Sequence, residues 1–150
     1  MTIRQATLTD AQDLLAFLMA LAAESAYTQA APADRAGMQS RLDQLLHNSD
    51  AGFFVAEDHG GGIVGLFAIL LYTDLISGER GVAQICWYTK PAYRRGLGPR
   101  LLAHGVAWAT AHGARRIQML APEKKFERFY QRHGYTPTNR VYEGRLSCRG

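Results

Sequence analysis

A chain of 150 residues with 47% apolar and 20% charged positions, 15 glycines, 5 prolines and 2 cysteines describes one folded domain over residues 1–150 and excludes a disordered chain. Cys86 and Cys148 form neither a zinc pattern nor a disulfide framework, and the apolar stretch Leu14 to Ala23 is too short for a bilayer and follows two aspartates, so a reducing, cytoplasmic setting without signal peptide or membrane span is expected. Seventeen Lys and Arg against thirteen Asp and Glu leave a formal charge of +4, which favours anionic partners without choosing between nucleic acid, acidic membranes and phosphorylated small molecules.

Ile3 to Ala6 reads as a short strand, and Thr9-x-x-Gln12 as a capping box opening a helix whose Leu14, Phe17, Leu18, Leu21 and Ala22 recur at helical spacing. Pro32 ends that pattern, and a second helix is expected over residues 34–47 with Met38, Leu42, Leu45 and Leu46 inward. Strands follow at Phe53 to Glu57 and Ile63 to Thr73, joined by the His59-Gly60-Gly61-Gly62 turn, then at Val82 to Thr89 after the polar loop Asp74 to Arg80. A helix from Pro99 to His112, a strand at Arg116 to Leu120, a basic helix at Glu123 to His133 and an extended region from Tyr135 to Leu146 complete the chain. The meander followed by alternating strands and helices implies an α/β mixed sheet with helices on both faces.

Chemistry concentrates where the Val82 to Thr89 strand runs into Tyr93-Arg94-Arg95-Gly96-Leu97-Gly98-Pro99-Arg100 and a helix. Free backbone N–H groups at a helix start sit at the positive end of the helix dipole, Gly96 and Gly98 let an anion approach the main chain, and Arg94, Arg95 and Arg100 add positive charge. A phosphate-rich ligand accounts for glycines and arginines together. The segment lacks the Gly-Lys-Ser/Thr ending of a P-loop and the third glycine of the dinucleotide fingerprint.

Over nearly the whole chain, and most strongly from Trp87 to Tyr135, the sequence resembles the GNAT family of acyl-CoA-dependent N-acyltransferases. The family pattern of a strand, often a proline, and Arg/Gln-x-x-Gly-x-Gly/Ala opening a helix is matched by Tyr88-Thr89-Lys90-Pro91-Ala92-Tyr93-Arg94-Arg95-Gly96-Leu97-Gly98-Pro99-Arg100-Leu101-Leu102. Aligning on Leu101-Leu102 keeps both glycines and puts Tyr93 where Arg or Gln is usual, whereas aligning on Arg95 keeps Gly98 and puts Arg100 at the last small position. Phe129-Tyr130-Gln131-Arg132-His133-Gly134-Tyr135 is similar to the family's helix ending in Tyr, three residues, Gly and an aromatic, and Ile3 to Asp10 is similar to its opening strand and helix start.

The resemblance implies a mostly antiparallel sheet of six to seven strands, splayed in the middle, with about four helices on both faces. It implies acetyl-CoA as co-substrate, its arm bonded to the main chain of Trp87, Tyr88 and Thr89 and its pyrophosphate over Arg94 to Leu101, with Phe126 and Tyr130 as further contacts. Direct attack by a primary amine on the thioester requires amine deprotonation, oxyanion donors and a proton for sulfur. Tyr130, whose phenol keeps its proton at neutral pH, is the expected acid. The strand carries Gln84 instead of a carboxylate, leaving Glu79 through water, or no base for an amine arriving neutral. Tyr27, Tyr72, Asp74, Glu79, Tyr142 and Glu143 are candidate acceptor contacts, and no metal is expected.

Arg115, Arg116, Lys124, Lys125, Arg128 and Arg132 can serve the CoA 3'-phosphate, a nucleic-acid backbone or only solvation, and no nucleic-acid motif accompanies them. Cys86 reads as a small core residue. The region Thr138 to Leu146 offers an edge for a homodimer. The alternatives are a catalytically inactive acyl-CoA-binding module of the same fold and a small basic nucleic-acid binder.

Overall fold

The structure, a computed structural model, describes residues 1–24, 33–139, 141, 142, 144 and 146. Tyr27, Pro32, Glu143 and Cys148 of the sequence reading lie outside them. The chain divides into two compact units, Met1–Met119 and Leu120–Gly150.

The first unit is built on a sheet of β1 (Thr2–Gln5), β2 (Ala51–Glu57), β3 (Ile63–Thr73), β4 (Arg80–Thr89) and β5 (Arg116–Gln118), in that spatial order. All pairs are antiparallel except β4 with β5, which is parallel. The near-continuous apolar run of β3 has a direct cause: both its faces are covered, so alternation has no polar side to show. Leu66 and Ala68 face a core with Leu14, Leu15 and Phe17 of α1 (Ala11–Glu24) and Leu42 of α2 (Arg35–His47). Gly65 and Phe67 face α3 (Leu97–Ala111), where a Cβ on Gly105 would stand 2.4 Å from the Phe67 ring. Bare glycine lets this helix lie close on the sheet.

The entry to α1 differs from the expected cap at Thr9. A 3-10 turn, Leu8–Asp10, precedes the helix, and the Asp10 carboxylate accepts the Thr7 N–H at 2.7 Å and both Arg4 Nη atoms at 2.8 and 2.7 Å. Arg4 also pairs with Glu57 of β2. The cap is therefore Thr7, two residues before Thr9, with Asp10 as the N3 residue of its capping box, whose two oxygens serve the helix start and the β1 arginine together. At α2, Asp34 accepts the Gly37 N–H at 3.0 Å.

The second unit holds α4 (Lys124–Arg132), which stops at Gly134, φ +82°, with the Tyr135 N–H donating to the Tyr130 carbonyl at 3.0 Å. Five strands are found among the described residues, not six to seven. The described residues after Tyr135 form no strand. Thr136-Pro137-Thr138-Asn139 has no apolar alternation to pin a register, and Pro137 has no N–H for a ladder. Among the described residues no helix is long and apolar enough to cross a membrane.

Candidate functional site

β4 keeps both neighbours only at its beginning. Gly81, Val82 and Ala83 pair with Arg116, Ile117 and Gln118, where β5 ends, while β4 continues to Thr89 paired with β3. Cys86 stands opposite Ala68 and Gln84 opposite Ile69, so Ile85 is an extra residue that bulges the strand where the two part. The Lys90 N–H donates to Val64 of β3 at 2.9 Å, so by the alternation of the ladder Thr89 turns its own main-chain groups to the open side. There the Thr89 carbonyl accepts Arg94 Nε at 3.2 Å.

A 3-10 turn, Pro91–Tyr93, leads from β4 into the glycine segment. Gly96 caps α3 with φ +81°, a left-handed conformation costly for any other residue, and offers no side-chain acceptor to the helix start. The N–H groups of Gly96, Leu97 and Gly98 therefore point off the helix end without an intrahelical acceptor, and Pro99 contributes none. Leu97 and Leu101 are buried and fix this turn against the sheet, while Arg95 and Arg100 are exposed. Both glycines thus flank the helix start, the alignment that leaves Tyr93 at the usual Arg or Gln place. Tyr93 instead donates its hydroxyl hydrogen to Asp58 at 3.2 Å, tying the loop to the β2–β3 turn.

Trp87 and Tyr88 lie on opposite faces of the open half of β4. The Trp87 indole packs edge-on to Phe67 at 5.8 Å and beside Gly98. Tyr88 packs edge-on to Phe17 at 5.5 Å, donates its hydroxyl hydrogen to the Glu24 carboxylate at the end of α1, and has the Arg94 guanidinium 5.9 Å from its ring centre. Burial, then the Glu24 hydrogen bond and charge, raise the Tyr88 pKa, so its phenol stays protonated. Burial pushes the Cys86 thiol up to about 12, which leaves no thiolate nucleophile there.

Glu79 lies at the other, paired end of β4. Its carboxylate accepts Arg116 Nε at 2.8 Å, and Asp74, held at about 2 chiefly by the Ser77 N–H and hydroxyl, takes an Nη of the same guanidinium at 3.2 Å. Six residues separate Glu79 from Ile85, about 20 Å along a strand. Use of Glu79 on an amine at the open edge would require both that reach and opening of the ion pair. Tyr72, on β3, keeps a buried hydroxyl without a hydrogen-bond partner, its ring over Gly81.

In the second unit the Tyr130 hydroxyl donates to the Leu120 carbonyl at 2.8 Å, and its ring meets Phe129 and Tyr135 at 5.7 and 5.5 Å. Phe126 lies under the Lys125 ammonium at 5.3 Å, and Lys125 also pairs with Glu123. Nδ1 of His47, His104, His112 and His133 each contacts the carbonyl four residues back. Among the described residues no three His, Cys, Asp or Glu side chains converge as a metal site would. Glu24 was not legible as a site residue, because 64 positions separate it from Tyr88 and no local motif joins them.

The profile of the acetyltransferase (GNAT) family matches residues 15–135. No curated protein matches the sequence. Solved structures similar to the chain include a ribosomal-protein-alanine N-acetyltransferase from Brucella melitensis biovar Abortus 2308, with 18% identity and TM-score 0.72 over 97% of this chain and 100% of that one. The aminoglycoside N-acetyltransferase AAC(6')-Iy in complex with CoA shares 21% identity with TM-score 0.78 over 98% and 95%. A transcriptional regulator from Bacillus halodurans C-125 shares 20% with TM-score 0.79 over 97% and 99%. At such identities the likeness is one of fold.

Proposed function

Since the chain belongs to the acetyltransferase (GNAT) family, we propose that it transfers an acetyl group from acetyl-CoA to the primary amine of a small molecule or protein. The observation that carries this reading is the end of β4, beyond its pairing with β5, leading directly into the glycine-capped start of α3. An extended arm carrying amides would bond the main chain turned outward at Thr89, as an added strand does. A pyrophosphate has the N–H groups of Gly96, Leu97 and Gly98, with Arg94, Arg95 and Arg100 as mobile counter-charges. Pro99 removes one donor, so the arginines take a larger share.

In the reaction the neutral amine nitrogen attacks the thioester carbonyl carbon, a C–N bond forms and the C–S bond breaks. The attacking nitrogen gives up one proton to water and keeps the other as the amide N–H, and the departing thiolate takes one proton from Tyr130, which recovers it from solvent. The Tyr130 assignment rests on the family likeness of its helix. Glu79, engaged by Arg116 at the paired end of β4, is left out of the proposed chemistry.

Calorimetry with acetyl-CoA, followed by thiol release over an amine panel, tests the proposal. Binding and amine-dependent release are expected. Binding without release identifies an acyl-CoA-binding module, the reading favoured by Gln84 and Pro99, and no binding removes both.

A further inference from the structure

The Tyr88 side chain gathers charge on the α1 side of β4. Glu24 takes its hydroxyl hydrogen, the Arg94 guanidinium stands 5.9 Å over its ring, and the Lys90 ammonium stands 5.8 Å over the neighbouring Phe17 ring. A carboxylate beside an aromatic face that already carries a cation is the chemistry of an alkylammonium site. The cation now on that face is the protein's own. Through its Nε bond to the Thr89 carbonyl, Arg94 also covers a main-chain acceptor on the open edge of β4.

Resting on the transfer reading above, we propose that Glu24 and the Tyr88 ring receive the ammonium group of the acceptor, and that Arg94 holds this place until the phosphates of the co-substrate draw it away. A pyrophosphate offers guanidinium charge-assisted, bidentate hydrogen bonds, stronger than one Nε–carbonyl bond with a ring contact. Departure of Arg94 uncovers the Thr89 carbonyl for the arm and the Tyr88 face for the amine in one movement. The body of the acceptor has room in a cavity of about 350 Å³ between α1 and the β2–β3 turn, which shares Phe17 with the Tyr88 cluster and is also lined by Asp13, Ala16, Ala20, Gly61 and Lys90. The substrate class is a primary alkylamine that binds as its cation and sheds a proton to water before attack.

The test titrates pentylamine and its uncharged counterpart pentanol, followed by shifts of the Tyr88 ring resonances, into protein saturated with desulfo-CoA. Wild type is expected to prefer pentylamine at least fivefold. Glu24→Gln, on an exposed helix end, abolishes the preference, and Tyr88→Phe, which keeps the ring, reduces it, while desulfo-CoA affinity stays unchanged in Glu24→Gln. Without desulfo-CoA, wild type binds pentylamine more weakly and Arg94→Ala restores binding. Equal affinity for the two probes, a preference that survives Glu24→Gln, or no gain in Arg94→Ala overturns the proposal. Failure of wild type to bind desulfo-CoA would instead remove the transfer reading on which it rests.

Discussion

Gly98, in the first turn of α3, lies against Trp87 of β4 so closely that a Cβ built on it would stand 3.2 Å from the indole Cζ2. Gly96, two residues earlier, has open space around it and a φ of +81°. The two glycines therefore do different work, one by lacking volume and the other by backbone conformation. Gly96→Ala is expected to destabilise the protein by about 1–2 kcal/mol, the cost of a left-handed Cβ. In Gly98→Ala the gain in helix propensity, about 1 kcal/mol, offsets the pressure on Trp87. Its stability should stay near that of wild type while acetyl-CoA affinity falls, because the methyl presses on Trp87 beside the proposed path of the arm. Urea denaturation and calorimetry on both variants separate the cases, and equal stability loss in the two would contradict the assignment.

The Asp10 carboxylate, nearly buried, is lowered from 3.8 to about 2, first by the Arg4 hydrogen bond against the cost of burial, then by the Thr7 N–H. A carboxylate depressed on folding contributes stability above its unfolded pKa and loses it as pH falls toward the folded value. Asp10→Asn should therefore cost about 2 kcal/mol at pH 7, with the difference shrinking below pH 4 and gone near pH 2. A difference that is constant across that range would show that the ion pair is not its source.

Much of this fold can be read along the chain. Ile63 to Thr73 was bounded as a strand from its β-branched and aromatic run, and β3 has those ends. Helix α3 begins at Leu97, not at the expected Pro99, because Gly96 supplies the left-handed cap. The bulge at Ile85 has no local signature, since it is defined by which residue of β3 stands opposite. The same limit hides Glu24, whose meaning comes from Tyr88 across the core. The glycine segment before α3 is contiguous in sequence, whereas the pairing of Glu24 of α1 with Tyr88 of β4 arises only by tertiary packing.

Arg116 joins Glu79 and Asp74 on the surface, with side chains 49%, 35% and 32% exposed. Pairs so open to water contribute about 0–1 kcal/mol and weaken with salt. Glu79→Gln is expected to change stability by less than about 1 kcal/mol and leave turnover essentially unchanged. A loss of about a hundredfold, together with loss of the acidic limb of the pH–rate profile, would instead identify Glu79 as the base acting through water.

Tyr130 donates to the Leu120 carbonyl, so its hydroxyl is already directed by the chain that carries it. Replacement by Phe removes this bond and the hydroxyl proposed to protonate the thiolate, and leaves the ring against Phe129 and Tyr135. The structural loss is about 1 kcal/mol, that of one hydrogen bond. A general acid contributes about 10² to 10⁴-fold, so turnover should drop by that factor with acetyl-CoA affinity unchanged. The decisive control is the leaving group. An acyl donor whose thiolate is stable without a proton should restore much of the lost rate in Tyr130→Phe and do little for wild type. A variant equally slow with both donors would mean that the tyrosine supports the fold and takes no part in proton transfer.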